Sequence, residues 1–207
     1  MNRTVVYAHG FRSSSKSHKA TQLGEYLRAH HPGVRFLSPD LSFRPALAVA
    51  QLESACHGVA PASLTVIGSS LGGFYAVVLA EKLGCRAVLL NPSIRPFETL
   101  SKHLGEQTNL YTGEQFVFDT SHVAELRAMY VPAITRPARY LLMVEMGDEL
   151  LDHHRTIAYC AGSKQIVIEG GDHELRSFPA HIPEVVEYAL ANVEGRINSE
   201  VRHLRGE

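Results

Sequence analysis

"LTVIGSSLGGFYAVVLAEKLG", residues 64–84, starts as an apolar, β-branched run and continues as a helical pattern, with two serines and three glycines near the junction. "LTVIGS" (64–69) has little alternation, as expected of a parallel strand covered on both faces. Ala76, Val77, Ala80 and Leu83 then recur along one helix face. The same joint repeats in both directions along the chain. Apolar runs at 4–10, 34–40, 86–92, 139–147 and 164–171 bring the count to about six strands. Between them, Ala20, Leu23 and Leu27 share a helix face, as do Val49, Leu52 and Cys56. The clearest helix is the last, carrying Ile182, Val185, Val186, Ala189, Leu190 and Val193, with Pro183 expected in its first turn. Strand–helix alternation of this kind predicts a doubly wound α/β fold, mainly parallel, with right-handed crossovers.

Composition sets the outer bounds. The 207 residues, 45% hydrophobic and 20% charged, fit one α/β domain over 1–207 with a sizeable core. A net charge of −1 leaves no electrostatic footprint for nucleic acid or an anionic membrane, which points to a small-molecule partner. No apolar stretch near Met1 is long enough for a signal peptide or a spanning helix, so cytoplasmic location is the expectation and membrane insertion is not. Cys56, Cys85 and Cys160 are odd in number and far apart, which reads as reduced thiols. The interval 93–138 breaks the rhythm: it shows no obvious strand, carries the amphipathic "HVAELRAMYV", and is too long for an ordinary connection. A helical cap or lid inserted in the domain is the expectation. The polar tail "EGRINSEVRHLRGE" is expected to fray.

The chemistry starts at the serine pair. Gly68-Ser69-Ser70-Leu71-Gly72 matches G-x-S-x-G, and it sits where a strand turns into a helix. Such a turn holds its central residue in strained backbone, and side chains two residues to either side would meet neighbouring backbone. Centring on Ser69 puts Ile67 and Leu71 at those tight positions, whereas centring on Ser70 puts Gly68 and Gly72 there. Ser70 is therefore the candidate nucleophile. A hydroxyl needs a base to take its proton and an acid to orient that base. Asp148 follows the strand "RYLLMVEMG" and His173 follows "KQIVIEGGD", so both would project into the crevice above the strand ends with Ser70. Asp152 is the alternative acid, four residues on and on the next helix.

Acyl transfer also needs donors for an oxyanion. The N–H of Leu71 at the helix N-terminus is one, and the N–H of Phe11 in the loop "YAHGFRSSS" is the other. His9 reads as the residue that pins this loop. Of the twelve histidines, His30 and His31 end a helix, His153 and His154 start one, and His203 belongs to the tail. None has a metal-ligand spacing, so no metal is expected, and acyl transfer through a serine requires no cofactor.

"HGFRSS", "GSSLGG", "NPSIRP", "YTGEQF", "MGDELLD" and "GGDHEL" together resemble the YqiA-type esterases of the α/β-hydrolase superfamily, over residues 4 to about 190. The resemblance implies a compact α/β-hydrolase fold acting on carboxylic esters or acyl thioesters, with Ser70, Asp148 and His173 as its triad. The departures, around Met146 and in "GDHELRSF", touch no triad position. A thioesterase acting on acyl-CoA would use the same triad, with Arg12, Arg44 and Arg95 as candidate cations at the pocket mouth. A binding module on the same scaffold would be free to lose the nucleophile or the base. Since imidazole ordinarily titrates near ~6.5, hydrolysis is expected to fall in acid.

Overall fold

The computed structural model describes residues 3–191 and 201–204. In chain order the elements are β1 (Thr4–Ala8), α1 (His18–His30), β2 (Arg35–Leu37), α2 (Pro45–Cys56), β3 (Leu64–Ser69), α3 (Leu71–Leu83), β4 (Arg86–Leu90), α4 (Pro96–Thr99), β5 (Gly105–Thr108), β6 (Gln115–Phe118), α5 (Thr120–Ala128), β7 (Tyr140–Glu145), α6 (His153–Tyr159), β8 (Lys164–Ile168), α7 (Phe178–Leu190) and β9 (Val201–Leu204). A seven-stranded sheet has the order β2-β1-β3-β4-β7-β8-β9, with every pairing parallel. This is the α/β-hydrolase fold. After β2 the chain crosses back to the other side of β1, so β1 and β3 flank the switch point where such sheets form their crevice.

Alternation within the strands feeds two core layers. Val6 and Ala8 pack with Leu52 of α2 and Leu79 of α3 on one face, whereas Val5 and Tyr7 pack with Leu23 of α1 and Val185 of α7 on the other. The helix faces read from periodicity are those that pack inward: Ala20, Leu23 and Leu27, then Val49, Leu52 and Cys56 are all buried. Cys56, Cys85 and Cys160 are buried thiols in no disulfide. No helix among the described residues is long and apolar enough to cross a membrane.

Four expectations need correction. Five of the six expected strands stop short of their expected ends: β1 at Ala8, β2 at Leu37, β4 at Leu90, β7 at Glu145 and β8 at Ile168. The residues beyond those ends, mostly glycine, proline and polar ones such as His9, Asn91 and Glu169, belong to the loops that follow the strands. The tail supplies a seventh strand, since Val201–Leu204 pairs with β8 instead of fraying. An edge strand is held by ladder hydrogen bonds to one neighbour, so Arg202 and His203 stay exposed and the apolar signal of a core strand is absent. The 93–138 segment is not purely helical: β5 and β6 form an antiparallel hairpin ahead of α5. Each strand has only four residues, and one face of β6 carries Phe116 and Phe118 inward, too short an alternation to stand out. Finally, α7 begins at Phe178, which moves Pro183 into the helix interior and gives Pro179 the first turn. Val193, assigned to this helix from periodicity, lies outside the described residues.

Candidate active site

Ser70 occupies the turn between β3 and α3 with φ 54° and ψ −119°, a backbone conformation that costs a non-glycine residue energy. The turn is locked on both sides of that residue: the Ser70 N–H donates to Leu90 O at 3.0 Å, and the N–H groups of Gly73 and Ser93 donate to Ser70 O at 2.9 and 3.0 Å. Gly68 and Gly72 are needed for room. A Cβ on Gly68 would collide with the carbonyl of Gly72, and one on Gly72 with the carbonyl of Ala8, both fixed backbone atoms. Ser69 ends β3, buried beside Tyr7, whose hydroxyl lies against the Ser17 and Ser69 hydroxyls.

The structure brings Ser70, His173 and Asp148 together from the loops after β3, β8 and β7. His173 Nε2 lies 3.1 Å from Ser70 Oγ, and His173 Nδ1 lies 2.8 Å from Asp148 Oδ2. A carboxylate only accepts, so Nδ1 carries the proton and donates to Asp148, leaving Nε2 to accept from the hydroxyl. Asp148 is itself oriented, because its Oδ1 accepts the N–H groups of Leu150 and Leu151, both at 2.9 Å. Its side chain is 3% exposed and that of His173 15%, so the pair is sheltered while the imidazole edge reaches the crevice.

Phe11 and Leu71 border the same crevice. Neither amide N–H donates to a protein acceptor among the described residues. Gly10 passes so close that a Cβ there would stand 3.3 Å from Ser70 Cβ. His9 controls this loop: the Leu41 N–H donates to His9 Nε2 at 3.0 Å, which places the ring proton on Nδ1, 3.0 Å from Gly10 O. The peptide between Gly10 and Phe11 is trans and planar, so tying its C=O to His9 turns its N–H to the opposite side. Burial holds the His9 imidazole below the usual histidine range, in keeping with a neutral ring.

The remaining candidates have other work. Asp152 is the N-cap of α6, accepting from the His154 and Arg155 N–H groups, and Asp172 pairs with Arg176 at 2.7 Å. Arg12 Nε donates to Thr108 O at 3.2 Å, Arg95 pairs with Glu98 at 3.1 Å, and Arg44 is exposed. His153 and His154 do begin a helix.

Two residues that hold the site in place were missed in the sequence. Asn91, at φ 38° directly after β4, donates to Asp172 O at 3.0 Å and His173 O at 3.3 Å and accepts the Glu145 N–H at 2.9 Å. Glu145 is 1% exposed at the end of β7, where its carboxylate accepts the N–H groups of Asp172 at 2.7 Å and Ser177 at 2.8 Å and the Ser177 hydroxyl at 2.5 Å. Together they clamp the loop that carries His173. Their signals were there to find: Asn91 opens "NPSIRP", and Glu145 is a carboxylate in the middle of an apolar run.

Two cavities of about 120 Å³ each lie on either side of Phe11. One is walled by Leu41, Phe43, Leu71, Tyr75 and Phe116. The other opens onto Ser70 and His173 and is bordered by Lys19, Tyr111 and Glu174. The hairpin reaches both, and it is fastened to the Phe11 loop. Phe11 packs edge-on against Phe116 and Phe118 at 5.9 and 5.1 Å between centroids, and the Leu110 N–H donates to Arg12 O at 2.9 Å.

Solved structures share this architecture. Est1E from Butyrivibrio proteoclasticus superposes with a TM-score of 0.70 at 15% identity, covering 92% of this chain and 89% of that one. Alpha/beta hydrolase domain-containing protein 10 from mouse gives 0.66 at 17% identity, with 89% of each chain covered. In sequence, a UPF0227 protein of Yersinia enterocolitica is 26% identical over 188 residues, 87% of this chain and 96% of the relative. The model of the family described as "Uncharacterised protein family (UPF0227)" matches residues 4–190, the span over which the six motifs resemble YqiA-type proteins, and the chain belongs to that family.

Proposed function

We propose that the chain is a serine esterase that cleaves carboxylic esters through an acyl-enzyme. The observation that carries this reading is the unbroken run of hydrogen bonds from Asp148 through His173 to Ser70, 2.8 and 3.1 Å long, ending on a nucleophile held in strained backbone. Ser70 Oγ attacks the ester carbonyl carbon as its proton passes to His173 Nε2, and the carbonyl oxygen becomes an oxyanion. The unspent N–H groups of Phe11 and Leu71 receive that charge; losing one such donor ordinarily costs about 10²–10³-fold in rate. Collapse breaks the bond to the alcohol, which takes the proton from His173. Water then gives a proton to His173 and attacks the acyl-serine, releasing the acid and restoring Ser70. Asp148 keeps the imidazole in the required tautomer and balances its cation. These steps call for no cofactor. Segment 93–138 serves as the cap, with Leu110 and Tyr111 at its tip beside Ser70. The word esterase in the names of fold neighbours such as the Rhodothermus marinus esterase domain supports the reaction class.

Fluorophosphonate labelling tests the reading. The native chain and Ser69→Ala are expected to label at one site, and Ser70→Ala to lose labelling and ester hydrolysis together. Full labelling of Ser70→Ala overturns the assignment. Hydrolysis requires neutral His173, so activity should fall in acid; a profile that does not fall there speaks against His173 as base.

A further inference from the structure

We infer that Lys19 recognises a carboxylate on the ester that Ser70 cleaves, so that the favoured substrates are carboxylate-bearing esters such as half-esters of small diacids. The inference rests on the esterase reading above. Lys19, in the first turn of α1, borders the same cavity as Ser70 and His173. Its side chain is only 13% exposed. Nζ donates at 2.6 Å to the carbonyl of Glu174, the residue after His173, which sets the ammonium next to the proposed base.

An ammonium has three donors, and this one is left short of partners. The nearest carboxylate oxygen, Glu174 Oε2, stands 3.8 Å away on a side chain that is 75% exposed, beyond hydrogen-bond reach. Two donors therefore have no protein acceptor among the described residues. A desolvated cation with open donors is costly unless something else completes it, and burial accordingly pushes Lys19 below the ordinary lysine range. Arg12, the other cation on this rim, is drawn toward the hairpin, with Nε donating to Thr108 O at 3.2 Å and Nη1 to Gln107 Oε1 at 3.5 Å, whereas Lys19 Nζ sits beside His173. The cavity, at about 120 Å³, is well below the ~300–1,000 Å³ of drug-sized sites, so the anion must lie within a few bonds of the ester carbonyl. Glu174 on the same rim, with Glu145 and Asp172 also acting on Lys19, opposes a dianion more strongly than a monoanion, which favours a carboxylate over a phosphate.

The bond to Glu174 O also ties α1 to the His173 loop, and a purely structural lysine would do the same. Competition between matched substrates separates the two roles. Monoethyl succinate is compared with ethyl succinamate, its neutral isostere, and O-acetylglycolate with O-acetylglycolamide, which covers both sides of the ester. The native enzyme is expected to favour the carboxylate member of at least one pair by about ten- to a hundred-fold in kcat/KM, as charge-assisted hydrogen bonds allow. Lys19→Met should bring that ratio close to one, and Lys19→Arg should retain most of it. A structural lysine would lower both members of a pair together and leave the ratio unmoved. Should Lys19→Met not fold, inhibition of the native enzyme decides: succinate should compete and succinamide should not. Equal or reversed preference in both pairs overturns the inference while the esterase reading stands, provided the neutral esters are hydrolysed and Ser70 labels. Loss of all hydrolysis together with failure of Ser70 to label overturns both.

Discussion

Ser70 illustrates how much a single residue's surroundings must supply. Its positive φ is tolerated because Leu90, Gly73 and Ser93 hold its backbone at three points, and because two glycines leave room for the turn. Gly72→Ala is therefore expected to destabilise the fold by about 1–3 kcal/mol, toward the upper end, since the obstructing Ala8 carbonyl belongs to a central strand and cannot swing aside. A urea midpoint measures this. His9 is a second such residue, acting on the Phe11 N–H through the Gly10 carbonyl. His9→Gln should lower kcat by about 10- to 100-fold, short of the full ~10²–10³ for a lost oxyanion donor, with a smaller change in KM. The same ring adds a pH term to stability. Burial lowers His9 in the folded state, so the unfolded chain takes up the proton more readily. That contribution is complete above the unfolded value of 6.5 and is lost as the pH falls through the folded one. Between about pH 7 and 5 the native urea midpoint should drop more than that of His9→Gln.

At the scale of elements, the chemistry sits where strands give way to loops. The four positive-φ residues other than glycine among those described, Arg12, Ser70, Asn91 and Leu175, follow β1, β3, β4 and β8 in turn, and all lie at the crevice end of the sheet. Strain gathered in this way needs bracing, which Glu145 and Asn91 supply to the His173 loop. Glu145→Gln keeps the size but sets an amide N–H₂ against the donor from Asp172 or those from Ser177, which lie on different carboxylate oxygens, so it should cost about 1–3 kcal/mol and lower kcat while Ser70 remains able to label. Denaturation and labelling of the same sample separate the two effects. These loops also mark where the sequence was hard to read. That Ser70, Asp148 and His173 meet was legible because Gly68 and Gly72 single out one serine of the pair and because an aspartate and a histidine each follow closely on a later apolar run. Asn91 and Glu145 act through backbone groups of distant loops, and a carboxylate within "LLMVEMG" carries no sign of the three donors it will meet. The ends of β1, β2, β4, β7 and β8 were overrun for a related reason: the last ladder bond is set by the neighbouring strand, and the glycine, proline and polar residues that follow, such as His9-Gly10 and Asn91-Pro92, continue the segment without showing where pairing stops.

Over the whole molecule, the seven-stranded sheet was nearly all visible as apolar runs, because central parallel strands are covered on both faces. What escaped, β9 and the β5–β6 hairpin, is held by edge pairing and by a few aromatic contacts, and neither leaves a long pattern. The hairpin is the part that ties the 93–138 segment to the site. Its anchors are inward, through Phe116, Phe118 and the backbone bond from Leu110 to Arg12, whereas the tip side chains Leu110 and Tyr111 are 69% and 44% exposed and still border the cavity that holds Ser70. Tip and anchor can thus be changed separately. Leu110→Ala with Tyr111→Ala removes no buried packing and no backbone bond, so stability should stay within ~0.5 kcal/mol of the native chain. If the segment caps the site, trimming its tip enlarges a cavity of about 120 Å³, and acyl chains that the native cavity excludes gain most. The kcat/KM ratio of octanoate to butyrate esters is expected to rise about ten-fold, since a single accommodated methylene is worth ~1–3 kcal/mol in an apolar pocket. An unchanged ratio in a folded, Ser70-labelling double variant would mean that the hairpin braces the Phe11 loop without covering the substrate.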